Sequence, residues 1–254
     1  MVFALGVLAP VVAEPDTTPF KRQAVTFRSA GDAPASLSGE LQWLDRPDMP
    51  QVRPGAIVCH PDPAGGGSMG DRVVWALAQR LAGAGLVVLC FNFRPLEHAA
   101  SQTDRLEQAA RDCLGALGWL RRTPLVDPDR VCLVGYSFGA VAALQAAVRT
   151  EPRARAYVGV AFPLPEGQIS LSPYSFVRHA RGPLLFVGGD QDPLSNLDLI
   201  RRLTKLTGVQ AQFAVVAGAD HLFTGDQALD ALGVEVSSFV RSHVVTTSAA
   251  NQAP

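Results

Sequence analysis

The sequence predicts an α/β fold, with a mostly parallel, twisted sheet of about seven or eight strands and helices on both faces. Short apolar runs alternate with amphipathic segments along most of the chain, which is the order that right-handed βαβ units produce. The runs are almost continuously apolar, as strands buried on both faces of a parallel sheet require. Two earlier segments, 23–28 and 37–44, alternate polar and apolar residues and predict an antiparallel pair at the sheet edge.

Strands and helices can be assigned in order from the pattern. The parallel strands are expected at residues 56–60, 86–93, 130–136, 157–162, 184–188 and 212–216. A helix over 104–121 has apolar residues at the i, i+3, i+4, i+7 spacing, and a helix over 138–149 is apolar nearly all round and should be buried. Thr224 and Gln227 predict a capping box for the last helix.

Composition limits the possible functions. The 254 residues are 48% hydrophobic and 18% charged, with a net charge of −1, which argues against binding to nucleic acid or to an anionic membrane surface. We expect a single domain over residues 20–243, a flexible tail at 1–19 and a disordered tail at 244–254. The apolar first thirteen residues lack a basic segment and are too short to span a bilayer, so a cytoplasmic protein is expected, with secretion as the minor alternative.

Cysteines and histidines give no sign of a metal or a cofactor. The four cysteines, Cys59, Cys90, Cys113 and Cys132, have no CxxC spacing and are expected to be buried free thiols in a reducing compartment. The five histidines form no zinc-binding pattern. We therefore expect neither metal nor cofactor, and the sequence gives no indication of the oligomeric state.

The run Gly135-Tyr136-Ser137-Phe138-Gly139 follows an apolar strand candidate and opens the buried helix. Gly-x-Ser-x-Gly at a strand-to-helix turn is the pattern of a nucleophile elbow, which presents a serine hydroxyl at the end of a sheet. Ser137 is therefore the candidate nucleophile, and the pattern predicts serine hydrolase chemistry.

A nucleophilic serine needs a base, and the base needs an orienting carboxylate. Both should follow later strands, because sites in open parallel sheets lie beyond the carboxyl ends of the strands. Asp192, just before Pro193, is the favoured acid, and Asp190 is the alternative. His221 is the favoured base, since it follows the last strand, whereas His243 falls at the end of a helix.

The oxyanion of such a reaction needs two backbone donors, one of them on the residue after the nucleophile. That residue is Phe138, and the second donor is expected at Asp62, because Pro61 and Pro63 have no N–H. His60 is expected to shape this loop, and Arg94 to form a structural ion pair. The residues expected to contact substrate are Gly65, Gly66, Tyr136, Leu164 and Tyr174.

Together these residues resemble the α/β-hydrolase superfamily over residues 20–243, and within it the small, cap-poor branch near dienelactone hydrolases. Members of that branch carry His-Pro-x-Pro, Gly-Gly-Ser-Met and Phe-Asn-Phe-Arg, which stand here at 60–63, 66–69 and 91–94. In two places the chain departs from the pattern: Pro95-Leu96-Glu97 replaces the usual Gly-x-Gly, and Asp62-Pro63 replaces a frequent His-Pro. The resemblance implies a cofactor-free hydrolase, with serine where dienelactone hydrolases have cysteine.

The expected partner is a small acyl compound. The gap at 163–183 is too short for a large cap, so a minimal lid and an acyl group of short to medium size are predicted. A carboxylic ester is the leading substrate class. A thioester, lactone or amide cleaved by the same residues, and a non-catalytic binding protein, remain the alternatives.

Overall fold

Eight strands form one sheet in the order β1-β2-β4-β3-β5-β6-β7-β8. The computed structural model describes residues 20–165, 167 and 172–245. Strand β2 is antiparallel to both β1 and β4, and the other neighbouring pairs are parallel. The strands are β1 (Phe20–Arg28), β2 (Ser36–Leu44), β3 (Arg53–Cys59), β4 (Val87–Phe91), β5 (Val126–Tyr136), β6 (Ala156–Val160), β7 (Leu184–Gly189) and β8 (Gln212–Val216). The predicted fold class and the antiparallel edge are confirmed.

Five α-helices cover the two faces of the sheet. They are α1 (Arg72–Gly83), α2 (Gln102–Arg121), α3 (Phe138–Ala147), α4 (Leu197–Thr207) and α5 (Asp226–Val240). Short 3₁₀ segments lie at Pro63–Gly65 and Ser172–His179, and a π-helical turn at Arg241–Val245. In the part of the chain that the structure describes, no helix is both long and apolar enough to cross a bilayer.

The core consists of two layers, one on each side of the sheet. Successive residues of β3 enter opposite layers: Ile57 belongs to the layer that contains apolar residues of α2, α3 and α4, and Val58 to the layer that contains those of α1 and α5. All seven residues of β3 are buried, which explains the continuous apolar runs in the sequence. The predicted burial of the third helix is also confirmed, because nine of the ten residues of α3 are buried.

The structure corrects two local predictions. Helix α5 begins at Asp226 after Gly225, without a side-chain cap, because the Thr224 hydroxyl donates to Asp220 instead of capping the helix. The chain is also ordered beyond residue 243, since the Arg130 guanidinium donates to the carbonyl oxygens of Val244 and Val245. The predicted tails at 1–19 and 246–254 lie outside the described residues.

The four cysteines are buried free thiols, as predicted. Cys59, Cys90 and Cys132 lie on β3, β4 and β5, and Cys113 lies on α2. Burial raises the pKa of the Cys132 thiol to about 12, which keeps it protonated at neutral pH. The sulfur atoms of Cys59 and Cys113 are 3.5 Å apart.

The turn from β5 to α3 is tight because α3 starts against the carboxyl end of β3. A Cβ atom on Gly139 would overlap the carbonyl oxygens of Cys59 and His60, and a Cβ on Gly135 would overlap the backbone of α3. Tyr157 on β6, fully buried, donates a 2.8 Å hydrogen bond to the carbonyl oxygen of Ala140. The first turn of α3 is thus held from two sides.

His60 links the ends of β3 and β4. Its Nδ1 donates to the carbonyl oxygen of Pro61 at 2.6 Å, and its Nε2 accepts from the backbone N–H of Phe93 at 3.0 Å. Burial lowers the pKa of His60, in keeping with an Nε2 that must stay unprotonated to accept this bond. The imidazole therefore connects two loops, as the sequence suggested.

Replacing Gly139 with alanine should destabilise the protein. The added methyl group meets backbone oxygens that cannot move aside, so we expect a loss of roughly 1–3 kcal/mol in the free energy of unfolding by urea denaturation. Gly118→Ala is the matched control, because its Cβ would meet only the mobile end of Arg122 at 3.4 Å. That helical substitution should raise stability by up to about 1 kcal/mol. Equal effects of the two substitutions would contradict the argument.

Acid should destabilise the protein through His60. Its folded pKa lies below the ordinary 6.5, so the unfolded chain takes up the proton first as the pH falls. The contribution of His60 to the free energy of unfolding is therefore complete above about pH 6.5. Below that pH it declines, at up to about 1.4 kcal/mol per pH unit. Between pH 7.5 and 5.5, urea denaturation of His60→Gln should show a flatter pH dependence than wild type. The exposed-residue control His98→Gln should keep the wild-type slope, and a His60→Gln slope equal to wild type would contradict this assignment.

Candidate active site

Ser137 stands alone at the turn between β5 and α3, in a strained backbone conformation. Its φ is 54°, a left-handed value that costs a non-glycine residue on the order of 1–3 kcal/mol. Its backbone N–H donates to Val160 at 2.9 Å, and its carbonyl oxygen accepts from Ala140 at 2.8 Å. These bonds hold the strained geometry. Because strained residues cluster at functional sites, the strain at Ser137 indicates a functional position for its hydroxyl.

The serine, histidine and carboxylate singled out in the sequence lie in one hydrogen-bonded chain. The Oγ of Ser137 is 2.9 Å from Nε2 of His221. The Nδ1 of the same ring is 2.8 Å and 3.0 Å from the two carboxylate oxygens of Asp192. The side chain of Asp192 is fully buried and that of His221 is 15% exposed, so solvent screens these contacts little.

Asp192 is held by the loop that contains it. Its Oδ1 accepts the backbone N–H groups of Leu194 and Ser195, at 2.8 and 3.2 Å. The alternative acid, Asp190, instead accepts the backbone N–H of Gly218 at 2.6 Å. Asp190 therefore stabilises a turn, and the carboxylate that lies beside the imidazole is that of Asp192.

Two hydrogen bonds hold the loop that contains His221. The phenol of Tyr136 donates to the carbonyl oxygen of His221 at 2.9 Å, and burial raises the pKa of Tyr136, so it remains a donor. The N–H of Gln191 donates to Ala219 at 3.0 Å, which joins the acid loop to the histidine loop. Asp220 faces away and accepts from Leu222 and Thr224.

The rival residues of the sequence analysis have structural partners. His60 is committed to the two loop bonds described above. Arg94 pairs with the fully buried carboxylate of Asp112 at 2.5 Å, and its backbone N–H donates to the same group at 3.0 Å. Neither side chain contacts the hydrogen-bonded chain of Ser137, His221 and Asp192.

The two expected oxyanion donors lie beside each other and are joined by an arginine. Phe138 is the first residue of α3, and Asp62 precedes the 3₁₀ turn that follows β3. The carboxylate of Asp62 accepts the N–H of Ala64 at 2.9 Å and pairs with Arg105 of α2. The Arg105 guanidinium also lies 5.6 Å from the centroid of the Phe138 ring, so one cation fixes both neighbours.

A cavity of about 720 Å³ opens beside Ser137. Apolar side chains form much of its described wall: Leu106 of α2, Phe138 and Val141 of α3, and Pro163, Pro165 and Pro173. Tyr174, expected to contact substrate, lines it and donates its hydroxyl to Pro163 at 2.7 Å. This volume is typical of small-molecule sites.

Four residues expected to contact substrate lie elsewhere. Tyr136 is 1% exposed beneath the histidine loop, and Leu164 is fully buried and bridges Ser195. Gly65 and Gly66 belong to an exposed turn and are not among the lining residues of the cavity. The side chains of Tyr136 and Leu164 pack in the interior, and the sequence pattern alone does not distinguish this role from lining a pocket.

The sequence reasoning missed eight of the described lining residues, which are Gln102, Thr103, Leu106, Val141, Gln145, Pro163, Pro165 and Pro173. Gln145 had a visible signal, because it is the single polar residue of an otherwise apolar buried helix. Leu106 and Val141 had none, since an apolar residue at helical spacing usually belongs to the core. Within the described residues, no group of three or more His, Cys, Asp or Glu side chains is arranged to hold a metal ion.

Comparison with known proteins gives a match to one family model and to individual relatives. Residues 71–236 match the model of the dienelactone hydrolase family. An uncharacterised protein of Mycobacterium tuberculosis is 31% identical over 198 residues, which cover 70% of this chain and 68% of that protein.

Solved structures show the same fold. A serine hydrolase without a lid from Xanthomonas campestris superposes with a TM-score of 0.68 at 26% identity, covering 89% of this chain and 97% of the other. A dienelactone hydrolase from Anabaena variabilis has the same TM-score at 22% identity, covering 90% of this chain and 100% of the other. The chain therefore belongs to the dienelactone hydrolase family and has the α/β-hydrolase fold of that family.

Proposed function

We propose that this hydrolase uses Ser137 as a nucleophile to cleave a carboxylic ester, or a related acyl compound of short to medium size, through an acyl-enzyme. The observation that supports it is the hydrogen-bonded chain from Ser137 through His221 to Asp192, at 2.9 and 2.8 Å. An alcohol, an imidazole and a buried carboxylate in that order are the groups that acyl transfer needs.

In the first half of the reaction, the Oγ of Ser137 attacks the carbonyl carbon while Nε2 of His221 takes its proton. The carbonyl π pair moves onto oxygen, which gives a tetrahedral oxyanion. When the pair returns, the bond to the leaving group breaks, and His221 gives its proton to the departing oxygen. In the second half a water molecule repeats these steps and releases the acid and Ser137.

Asp192 holds the imidazole in the reactive tautomer. With Nδ1–H donated to the carboxylate, Nε2 carries the lone pair that accepts the serine proton. The carboxylate also stabilises the imidazolium cation that forms. Its two backbone donors, Leu194 and Ser195, fix its orientation before the reaction starts.

The backbone N–H groups of Phe138 and Asp62 are the proposed oxyanion donors. Arg105 supports this arrangement, because it binds the carboxylate of Asp62 and lies over the Phe138 ring. Donors held in place before charge develops need no reorganisation in the transition state. Asp62 thus contributes its backbone to the site and its side chain to the fold.

The same residues would serve a thioester, a lactone or an amide, which differ only in the leaving group. The apolar wall of the cavity favours the acyl part of the substrate as the group that is bound. A protein that only binds acyl compounds would not need the strained serine at φ 54°.

Replacing Ser137 with alanine should abolish hydrolysis. We expect kcat to fall by roughly four orders of magnitude or more, because the nucleophile is lost, and labelling by a fluorophosphonate probe to disappear. The control Ser238→Ala removes an exposed hydroxyl of α5 and should keep both activity and labelling. Normal turnover by Ser137→Ala would refute the proposed function.

Chain length should limit the substrate. The wall that α3 gives the cavity runs from Ser137 to Gln145, about 12 Å at 1.5 Å per residue. An extended palmitoyl chain is longer than this, at roughly 1.2 Å per bond, so its end would leave apolar surface in water. Across p-nitrophenyl esters from acetate to palmitate, kcat/KM should be highest at short to medium length and decline towards palmitate. Fastest turnover of palmitate would contradict the size assignment.

A further inference from the structure

Gln145 has a buried side-chain oxygen for which the described residues provide no hydrogen-bond donor. Every other residue of α3 is apolar or glycine, and Gln145 is 9% exposed. Its Oε1 is inaccessible to solvent and accepts no hydrogen bond from the residues that the structure describes. Since buried polar groups in native proteins are nearly always satisfied, such an amide points to a group supplied from outside the chain.

Its position relates it to the nucleophile. Gln145 and Ser137 line the same cavity and are eight residues apart along α3. At 1.5 Å per residue their Cα atoms are separated by about 12 Å, and helical side chains lean towards the N-terminus, which brings the amide nearer to the serine. An extended chain advances about 1.2 Å per bond, so the amide faces an acyl group roughly six to eight bonds from the carbonyl carbon.

The rest of the wall defines the chemistry of the group that Gln145 would bind. Among the described residues that line the cavity there is no Lys, Arg or His, and the single carboxylate, Asp62, is paired with Arg105. Leu106 and Val141 give the wall apolar surface, and Val141 lies about one helical turn from both Ser137 and Gln145. A charged group would therefore be buried without a counter-ion, whereas a hydroxyl both donates and accepts and matches either amide atom.

We propose that Gln145 is a specificity residue that binds a hydroxyl group near the far end of a medium-length acyl chain. The inference rests on the proposed function, since it assumes that the acyl group lies in this cavity during attack by Ser137. The apolar middle of the cavity binds the methylene groups, and the amide selects an ω-hydroxyacyl group over the plain acyl group.

The test compares p-nitrophenyl 8-hydroxyoctanoate with p-nitrophenyl octanoate. Wild type should have the higher kcat/KM for the hydroxy ester. Gln145→Met keeps the size and flexibility of the side chain but removes the hydrogen bond. It should lower the ratio of the two kcat/KM values at least about tenfold and shift the preference to octanoate.

A matched control separates selectivity from folding. Gln42→Met replaces another buried glutamine, on β2, whose Oε1 accepts from Gln79 at 2.8 Å, and it should keep the wild-type ratio. Without substrate, Gln145→Met should leave the melting temperature unchanged or raise it, because the side chain has no hydrogen bond to any described residue, whereas a structural role would lower it.

Two results would overturn the inference. One is a wild-type enzyme that cleaves octanoate at least as well as the hydroxy ester; the other is a Gln145→Met variant with an unchanged ratio. Fluorophosphonate labelling distinguishes these failures from failure of the proposed function. If Ser137 is labelled and octanoate is cleaved, only the specificity assignment is lost; if neither occurs, the proposed chemistry is lost as well.

Discussion

The close approach of α3 to the carboxyl end of β3 is the constraint on which the site depends. Gly139 leaves no room for a side chain beneath the carbonyl oxygens of Cys59 and His60, and this contact forces the chain to turn within one residue. Ser137 takes up the turn at a positive φ. The same approach brings the first residue of α3 beside the loop that follows β3. One packing contact therefore places the proposed nucleophile and both proposed oxyanion donors.

Around this contact the site is held by groups that each have more than one partner. The carboxylate of Asp192 binds two backbone N–H groups and the imidazole, so its direction is fixed whether or not substrate is present. Tyr136 lies under the sheet's carboxyl edge and holds the backbone of His221. Arg105 connects α2 to Asp62 and to the Phe138 ring. Such support would hold the proposed reacting groups in position before charge develops, so that little reorganisation is needed in the transition state.

The cavity has a different physical character from the reacting groups. Its wall is mostly apolar, which gives affinity but little selectivity between similar acyl chains. The buried amide of Gln145 would provide what the apolar surface lacks, because a partner that fails to hydrogen-bond leaves that amide desolvated and unsatisfied. Gln145 lies eight residues from Ser137 along α3, so its effect on substrate choice should be separable from any effect on the chemistry at Ser137.

The sequence by itself determined the sheet, the order of its elements and the candidates for the site. Strands buried on both faces must be apolar throughout, and a serine at a strand-to-helix turn needs glycines on both sides, so both leave local patterns. The sequence did not decide whether Asp190 or Asp192 faces the imidazole. In the structure Asp190 accepts the N–H of Gly218, whereas the N–H groups of Leu194 and Ser195 hold Asp192 beside the ring. The cavity wall was decided only in three dimensions. Leu164 and Val141 are equally apolar in sequence, yet one packs inside and the other lines the cavity, because the packing of separate elements sets exposure and no local pattern encodes it.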